Sequence, residues 1–143
     1  MVNNILILLF SFIASLAFSV TFGIHGKDKL LYAGLGGFLV RLVNISLSGF
    51  LDNRFIIILI SALAASLYGE FMSRKLQVPT AYFIYPSIIP LIPGDMFHYM
   101  IASLVTGNIR LAEVQAFDCR LSLVALSLGT IIGTTTLQSI RRK

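Results

Sequence analysis

The sequence predicts an all-α, polytopic membrane protein with about five transmembrane helices, the fourth broken by prolines. Three observations predict it. The chain of 143 residues is 57% hydrophobic and only 12% charged, with a mean hydropathy of +0.89, whereas about 25% of the residues in a soluble domain are charged. The charges are also clustered, with none from Met1 to Ile24, Phe55 to Gly69, Leu76 to Gly94 or Leu121 to Ile140. Apolar stretches of that length, at about 1.5 Å per helical residue, match a hydrocarbon layer about 30 Å thick. Finally, one apolar stretch carries Pro86, Pro90 and Pro93, which no continuous helix accommodates.

The first span, residues 4–22, has no basic region before it and no small-residue cleavage site after it, and is read as a retained helix rather than a signal peptide. The second, 30–50, is flanked by Lys27, Asp28 and Lys29 on one side and Asp52, Asn53 and Arg54 on the other, with Arg41 at its middle. The third spans 55–72, the fourth 80–105 and the fifth 121–140. No repeat, linker or low-complexity tract divides them, so residues 1–143 read as one integral membrane domain. Five crossings place the termini on opposite sides. Lys27, Lys29, Arg74, Lys75, Arg141, Arg142 and Lys143 then fall on one side, and Arg54, Arg110 and Arg120 on the other. The excess orients the carboxyl terminus to the cytoplasm and the amino terminus outside.

Several function classes drop out. There is no GxxxxGK[ST] loop for nucleotide hydrolysis. The single cysteine, Cys119, allows neither an internal disulfide nor a Cys/His metal cluster, and no cofactor is expected. The net charge of +5 follows from membrane orientation rather than from nucleic-acid binding.

Helices associate in lipid through close contact along small-residue faces. Ser11, Ser15 and Ser19 form one such face on the first helix, Ser61, Ala65 and Gly69 another on the third, and Ala125, Gly129 and Gly133 a third on the fifth. Gly34, Gly36 and Gly37 thin the second helix. These predict bundle packing. So many close-packing faces on only five helices also leave room for a partner subunit or a homo-oligomer.

Chemistry points to the stretch PTAYFIYPSIIPLIPGDMFHYM, Pro79 to Met100. Its internal prolines leave the carbonyls of Tyr82, Pro86 and Ile89 without helical partners. At membrane depth such groups are tolerated only where protein buries them or where they line a watered cavity. Discontinuous helices bind solutes in transporters, because freed carbonyls hold cations and a half-helix amino end holds anions. Gly94 is expected to make the break, with the second half-helix starting near Asp95. Asp95 reads either as a cap for the N–H of Met96, Phe97 or His98 or as a functional group. Three residues separate it from His98, so the two would share a proton in a wet site. Tyr82, Tyr85 and Tyr99 offer hydroxyls to a polar solute. Arg41 costs about 2.5 to 3.5 kcal/mol at the bilayer centre, so it should face the bundle interior with a partner: Asp95, Glu70 or a solute carboxylate. A structural pair and a solute site stand level for it. Glu70, one turn before Arg74, reads as half of a local ion pair.

The residues also suggest a family. A Phe-x-x-x-Phe helix end (Phe18, Phe22), the run Ala33-Gly34-Leu35-Gly36-Gly37, and Val78-Pro79 followed by Ile89-Pro90-Leu91-Ile92-Pro93-Gly94 together resemble the threonine/serine exporter family. The short-subunit form is the better match, similar to the small subunit of bacterial two-component exporters of succinate. The resemblance covers nearly the whole chain. It implies a larger membrane partner from the same family, and export of small amino acids or a dicarboxylate across a bacterial cytoplasmic membrane, driven by an ion gradient. Pro90, Pro93 and Gly94 match its motif, and Tyr99 falls where the family often has an aromatic residue. Asp95-Met96 departs from the small residues expected after the glycine.

The leading expectation is therefore a subunit of a secondary exporter, not an enzyme. Arg41, Pro90, Pro93, Gly94 and Tyr99 would bind the solute, and Asp95 or His98 would couple a proton. A scaffold or regulatory subunit is the alternative. Asp95 and His98 as an acid/base pair rank last, because no nucleophile or metal set accompanies them.

Overall fold

The computed structural model describes residues 2–141; Met1, Arg142 and Lys143 lie outside them, and with them part of the basic cluster on which the expected orientation rests. Six α-helices follow in order: α1 (Val2–Thr21), α2 (Lys27–Ser48), α3 (Arg54–Leu76), α4 (Ala81–Ile88), α5 (Gly94–Val105) and α6 (Ile109–Arg141). A 3-10 turn, Ile89–Leu91, continues α4. Among the described residues there is no strand. Among the described residues four helices are long and apolar enough to cross a membrane, and the pair formed by α4 with its 3-10 turn and α5, bent by 46°, makes a fifth when counted as one span. The protein is an all-α polytopic membrane protein.

Local chemistry moves the element boundaries. α2 begins at Lys27 because Lys27, Asp28 and Lys29 are compatible with helix and Asp28 in the first turn favours the helix dipole. α3 starts at Arg54, where the Asn53 side chain accepts the Phe55 N–H at 3.0 Å. It runs past residue 72 to a left-handed cap at Gln77, φ 52°. The largest departure is at the last span. α6 begins at Ile109 rather than 121, because Arg110, Glu113, Gln115, Asp118 and Arg120 interrupt the apolar pattern without breaking a helix. Only Thr106, Gly107 and Asn108 separate it from α5, and the Asn108 side chain accepts the Leu111 N–H at 3.3 Å.

The expected small-residue faces are the seams of the bundle. Ser11, Ser15 and Ser19 are buried, and Ser15 and Ser11 lie against Gly37 of α2. Ser61, Ala65 and Gly69 are buried on α3, with Gly69 against Ile84 of α4. A Cβ added at Gly129 would stand 2.6 Å from the backbone oxygen of Leu59, so α3 and α6 meet almost backbone to backbone. Gly133 meets Ser66 in the same seam. Asn44 adds a polar tie from α2 to α3, donating to Ser61 Oγ at 3.4 Å.

α4 lies in the groove between α2 and α3, and α5 packs on α6. Two contacts set the level of the broken segment. Thr80, just before α4, donates to Glu70 Oε2 at 3.0 Å, and Asp95, in the first turn of α5, lies 3.9 Å from Arg54 at the start of α3. The chain from Thr80 to Asp95 therefore accompanies α3 over its sixteen residue steps from Arg54 to Glu70, about 24 Å. α4 and its turn thus cross most of a bilayer's thickness. The break sits at the Arg54 end of the bundle, not at mid-span.

Candidate functional site

The break is made by an inverse γ-turn at Pro93, φ −77° and ψ 58°, which directs the Gly94 N–H to the Ile92 carbonyl at 2.8 Å. This corrects the expectation for Gly94, which is the first residue of α5 and not the hinge. A helical Gly94 N–H would have bonded the carbonyl of Pro90. The turn frees that carbonyl, and the Arg41 Nη1–H donates to it at 3.2 Å. Two of the carbonyls expected to be orphaned have partners: Ser15 Oγ donates to Pro86 at 2.9 Å, and the Ile92 N–H to Ile89 at 3.1 Å.

Arg41 also differs from expectation in depth and in partner. α2 ends at Ser48, so Arg41 lies seven residues from its end, about 10 Å, rather than at its centre. Its partner is a backbone carbonyl, not Asp95 or Glu70. Its Nε is buried without a hydrogen-bond partner, which leaves binding capacity unused in a cationic group at membrane depth.

A cavity of about 520 Å³ opens beside this arginine. Its polar lining comes from Ser11 of α1, Arg41 of α2, Arg54 of α3, Asp95 of α5 and the backbone from Ile89 to Gly94. A second cavity of about 260 Å³ lies on the other side, with Asn44, Ser48 and Ile58, so that Arg41 and Arg54 border both. The first cavity is of a size that holds a small organic solute. Two guanidinium groups, one carboxylate and a bent backbone make it complementary to a solute carrying a carboxylate.

The structure thus gathers Arg41, Pro90, Pro93, Gly94 and Asp95 around one space. Tyr99 and His98 are not part of it. Both lie exposed on α5, with their rings edge to face at 5.8 Å. Asp95 does not cap α5, whose start has no side-chain cap, and it makes no hydrogen bond with His98 among the described residues. It faces Arg54 across solvent-exposed space at 3.9 Å, a pair that contributes little stability. Tyr85 stacks on Phe22 at 5.9 Å between ring centres, and Tyr82 packs in an apolar cluster around Ile24, Ala33 and Phe83. Arg54 is the site residue that sequence reasoning missed. Its place at the edge of a span marked it as a topological charge, and nothing local tied it to the break. Glu70 holds Arg74 as expected, Nε to Oε1 at 3.1 Å.

Among the described residues no group of His, Cys, Asp and Glu could hold a metal ion. The profile of the family described as Threonine/Serine exporter, ThrE matches residues 7–136, a range that takes in every residue lining the cavity. The chain belongs to the threonine/serine exporter family. No curated protein and no solved structure matches it. In this exporter-family chain the proline-broken segment is therefore a segment of a transporter-type fold, tied to α2 by the bond from Arg41 to the Pro90 carbonyl.

Proposed function

We propose that the protein is a membrane subunit of an ion-gradient-driven exporter of small carboxylate-bearing solutes. Threonine or serine, or a dicarboxylate such as succinate, are the solute classes, and a larger membrane protein of the same family is the partner. It acts in a bacterial cytoplasmic membrane, amino terminus outside, as one integral domain and not as an enzyme. The observation that carries this reading is the cavity at the break, lined by Arg41, which donates to the Pro90 carbonyl, and by Arg54, which lies 3.9 Å from Asp95. The arginines suit the carboxylate. Asp95 and the carbonyl suit an ammonium group, which an amino acid has and a dicarboxylate lacks, so the geometry favours a zwitterion over succinate. α1 closes only one side of this cavity, and Phe10 and Ile92 on its rim stay exposed, which leaves a wall for partner helices.

A scaffold role is the second reading, and one observation favours it: Arg41 is already bonded to a backbone carbonyl, as a structural lock would be. One experiment separates the two. Arg41→Gln in the tagged chain, extracted in mild detergent, should still carry a larger membrane protein in stoichiometric amount. Efflux of labelled threonine should meanwhile fall about tenfold to a hundredfold, as expected for losing a charge-assisted hydrogen bond of about 1.5 to 3 kcal/mol. If partner and flux are lost together, the chain is a scaffold.

A further inference from the structure

The smaller cavity, about 260 Å³, lies between the second half of α2 and the start of α3. Arg41, Asn44 and Ser48 stand at i, i+3 and i+7 on α2 and so share one face of that helix. Arg54 and Ile57 bring in the opening turn of α3, and with it the positive end of a 23-residue helix. The polar side chains lining the space are therefore two guanidinium groups, an amide and a hydroxyl. Among the described residues no acidic side chain lines it, whereas the larger cavity has Asp95.

Charge is left over here. Of the groups that line the two cavities, Arg41 and Arg54 bring two positive charges and Asp95 one negative, so one positive charge has no counterpart. Arg41 stands about 10 Å inside the end of its helix, where an uncompensated charge is costly. Hydrogen-bond donors are left over as well. A guanidinium group has five N–H donors, yet among the described residues these two side chains make one hydrogen bond, from Arg41 Nη1 to the Pro90 carbonyl. Arg54 stops 3.9 Å short of Asp95, and the Arg41 Nε is buried without a partner. Asn44 uses one of its two amide N–H groups on Ser61 Oγ, at 3.4 Å, and keeps the other. The Ser48 hydroxyl turns back to the Ile45 carbonyl at 2.7 Å, so position 48 borders the space without supplying it a donor.

We infer that this cavity holds a small monovalent inorganic anion of the chloride class, as a fixed counter-ion to Arg41 and Arg54. One negative charge balances the one left over, and the unused donors of Arg41, Arg54 and Asn44 are of the kind that anions recruit. The volume falls below the roughly 300 Å³ at which sites for organic ligands begin, which suits an ion with a little water better than a second solute. The inference goes beyond the exporter reading and does not depend on it. The two fit together through charge: a zwitterion entering the larger cavity adds no net charge, so it comes and goes without expelling the anion.

The test uses the purified protein, with any co-purifying partner, in detergent and in nanodiscs of zwitterionic lipid, at constant ionic strength with gluconate as the replacement anion. Radiolabelled chloride should bind saturably. Exchanging gluconate for chloride at about ten times its Kd should raise the melting temperature by about 3 to 6 °C. Asn44→Ala removes a donor and should weaken chloride binding about tenfold. Ser48→Asp tethers a carboxylate in the cavity. It should remove one bound chloride per copy of this chain and leave the melting temperature indifferent to chloride. Saturating threonine should leave the chloride bound. The inference is overturned if chloride does not bind saturably, or if Ser48→Asp binds as much of it as the wild type does. Displacement of chloride by threonine or by anionic lipid would equally overturn it, since the cavity would then serve the carboxylate of the solute or a headgroup phosphate. The chloride count and the Ser48→Asp comparison decide the site even if the wild type moves neither threonine nor succinate.

Discussion

The seam between α3 and α6 and the break between α4 and α5 handle backbone in opposite ways. In the seam, Gly129 and Gly133 bring two intact helices so close that a single Cβ would meet the Leu59 backbone oxygen or Ser66. In the break, the backbone itself opens, and its freed carbonyl is met by a side chain, Arg41, across the wall of a cavity. Among the described residues the first arrangement leaves no room for a Cβ at either glycine and no buried side-chain group unpaired. The second leaves both, including the unpartnered Arg41 Nε. The lesson is that glycine can serve closeness in one place while a similar glycine serves nothing of the kind in another: around Gly94 there is no atom within 4 Å of an added Cβ.

Substitutions can break that contrast. Gly129→Leu should have the largest effect, since the atom in the way is backbone and cannot turn aside. A loss of about 3 kcal/mol or more is expected, read as a collapse of monodisperse protein on size-exclusion chromatography in detergent. Pro93→Ala should separate stability from transport. The alanine N–H and a realigned Gly94 N–H extend the helix through the break, which offsets the bond that Arg41 loses, so the melting temperature changes little, whereas threonine efflux falls about tenfold as the Pro90 carbonyl is taken from Arg41. Ser15→Ala removes the donor that serves the Pro86 carbonyl and should cost about 1 kcal/mol in a steric-trap or denaturant assay in micelles. Gly94→Ala should be smallest. With open space around it and a helical backbone, the melting temperature should stay within error or rise slightly. A large loss there would show that the break needs glycine after all.

The seams were legible in the sequence because a spacing of four small residues has one geometric meaning on a helix in lipid, and Ser11, Ser15, Ser19, Ala125, Gly129 and Gly133 all follow it. The prolines were equally legible as a break, since each removes an N–H whatever surrounds it. The details of the break were not. Which carbonyl is freed depends on the turn at Pro93, and a γ-turn redirected the Gly94 N–H in a way that counting prolines does not reveal. Arg54 escaped notice because what brings it to the cavity is a tertiary fact, the run of the α4 segment alongside α3. Hydropathy begins the last span at residue 121 because it registers the charges of residues 109–120, which the helix tolerates.

That last helix carries a mechanical consequence. α6 is 33 residues long, about 50 Å, against a hydrocarbon layer of about 30 Å. Its small-residue half is fixed to α3 by Gly129 and Gly133, so the excess is confined to the half that pairs with α5, where Ser103 clasps Gln115 at 3.0 Å. Arg110, Glu113, Asp118 and Arg120 lie on that half, and submerging any of them to the bilayer centre costs about 2.5 to 3.5 kcal/mol. They act as a waterline. The chain sets its own draught in the bilayer, and lipids with longer tails would press first on the α5–α6 hairpin and so pull on the hinge at Pro93.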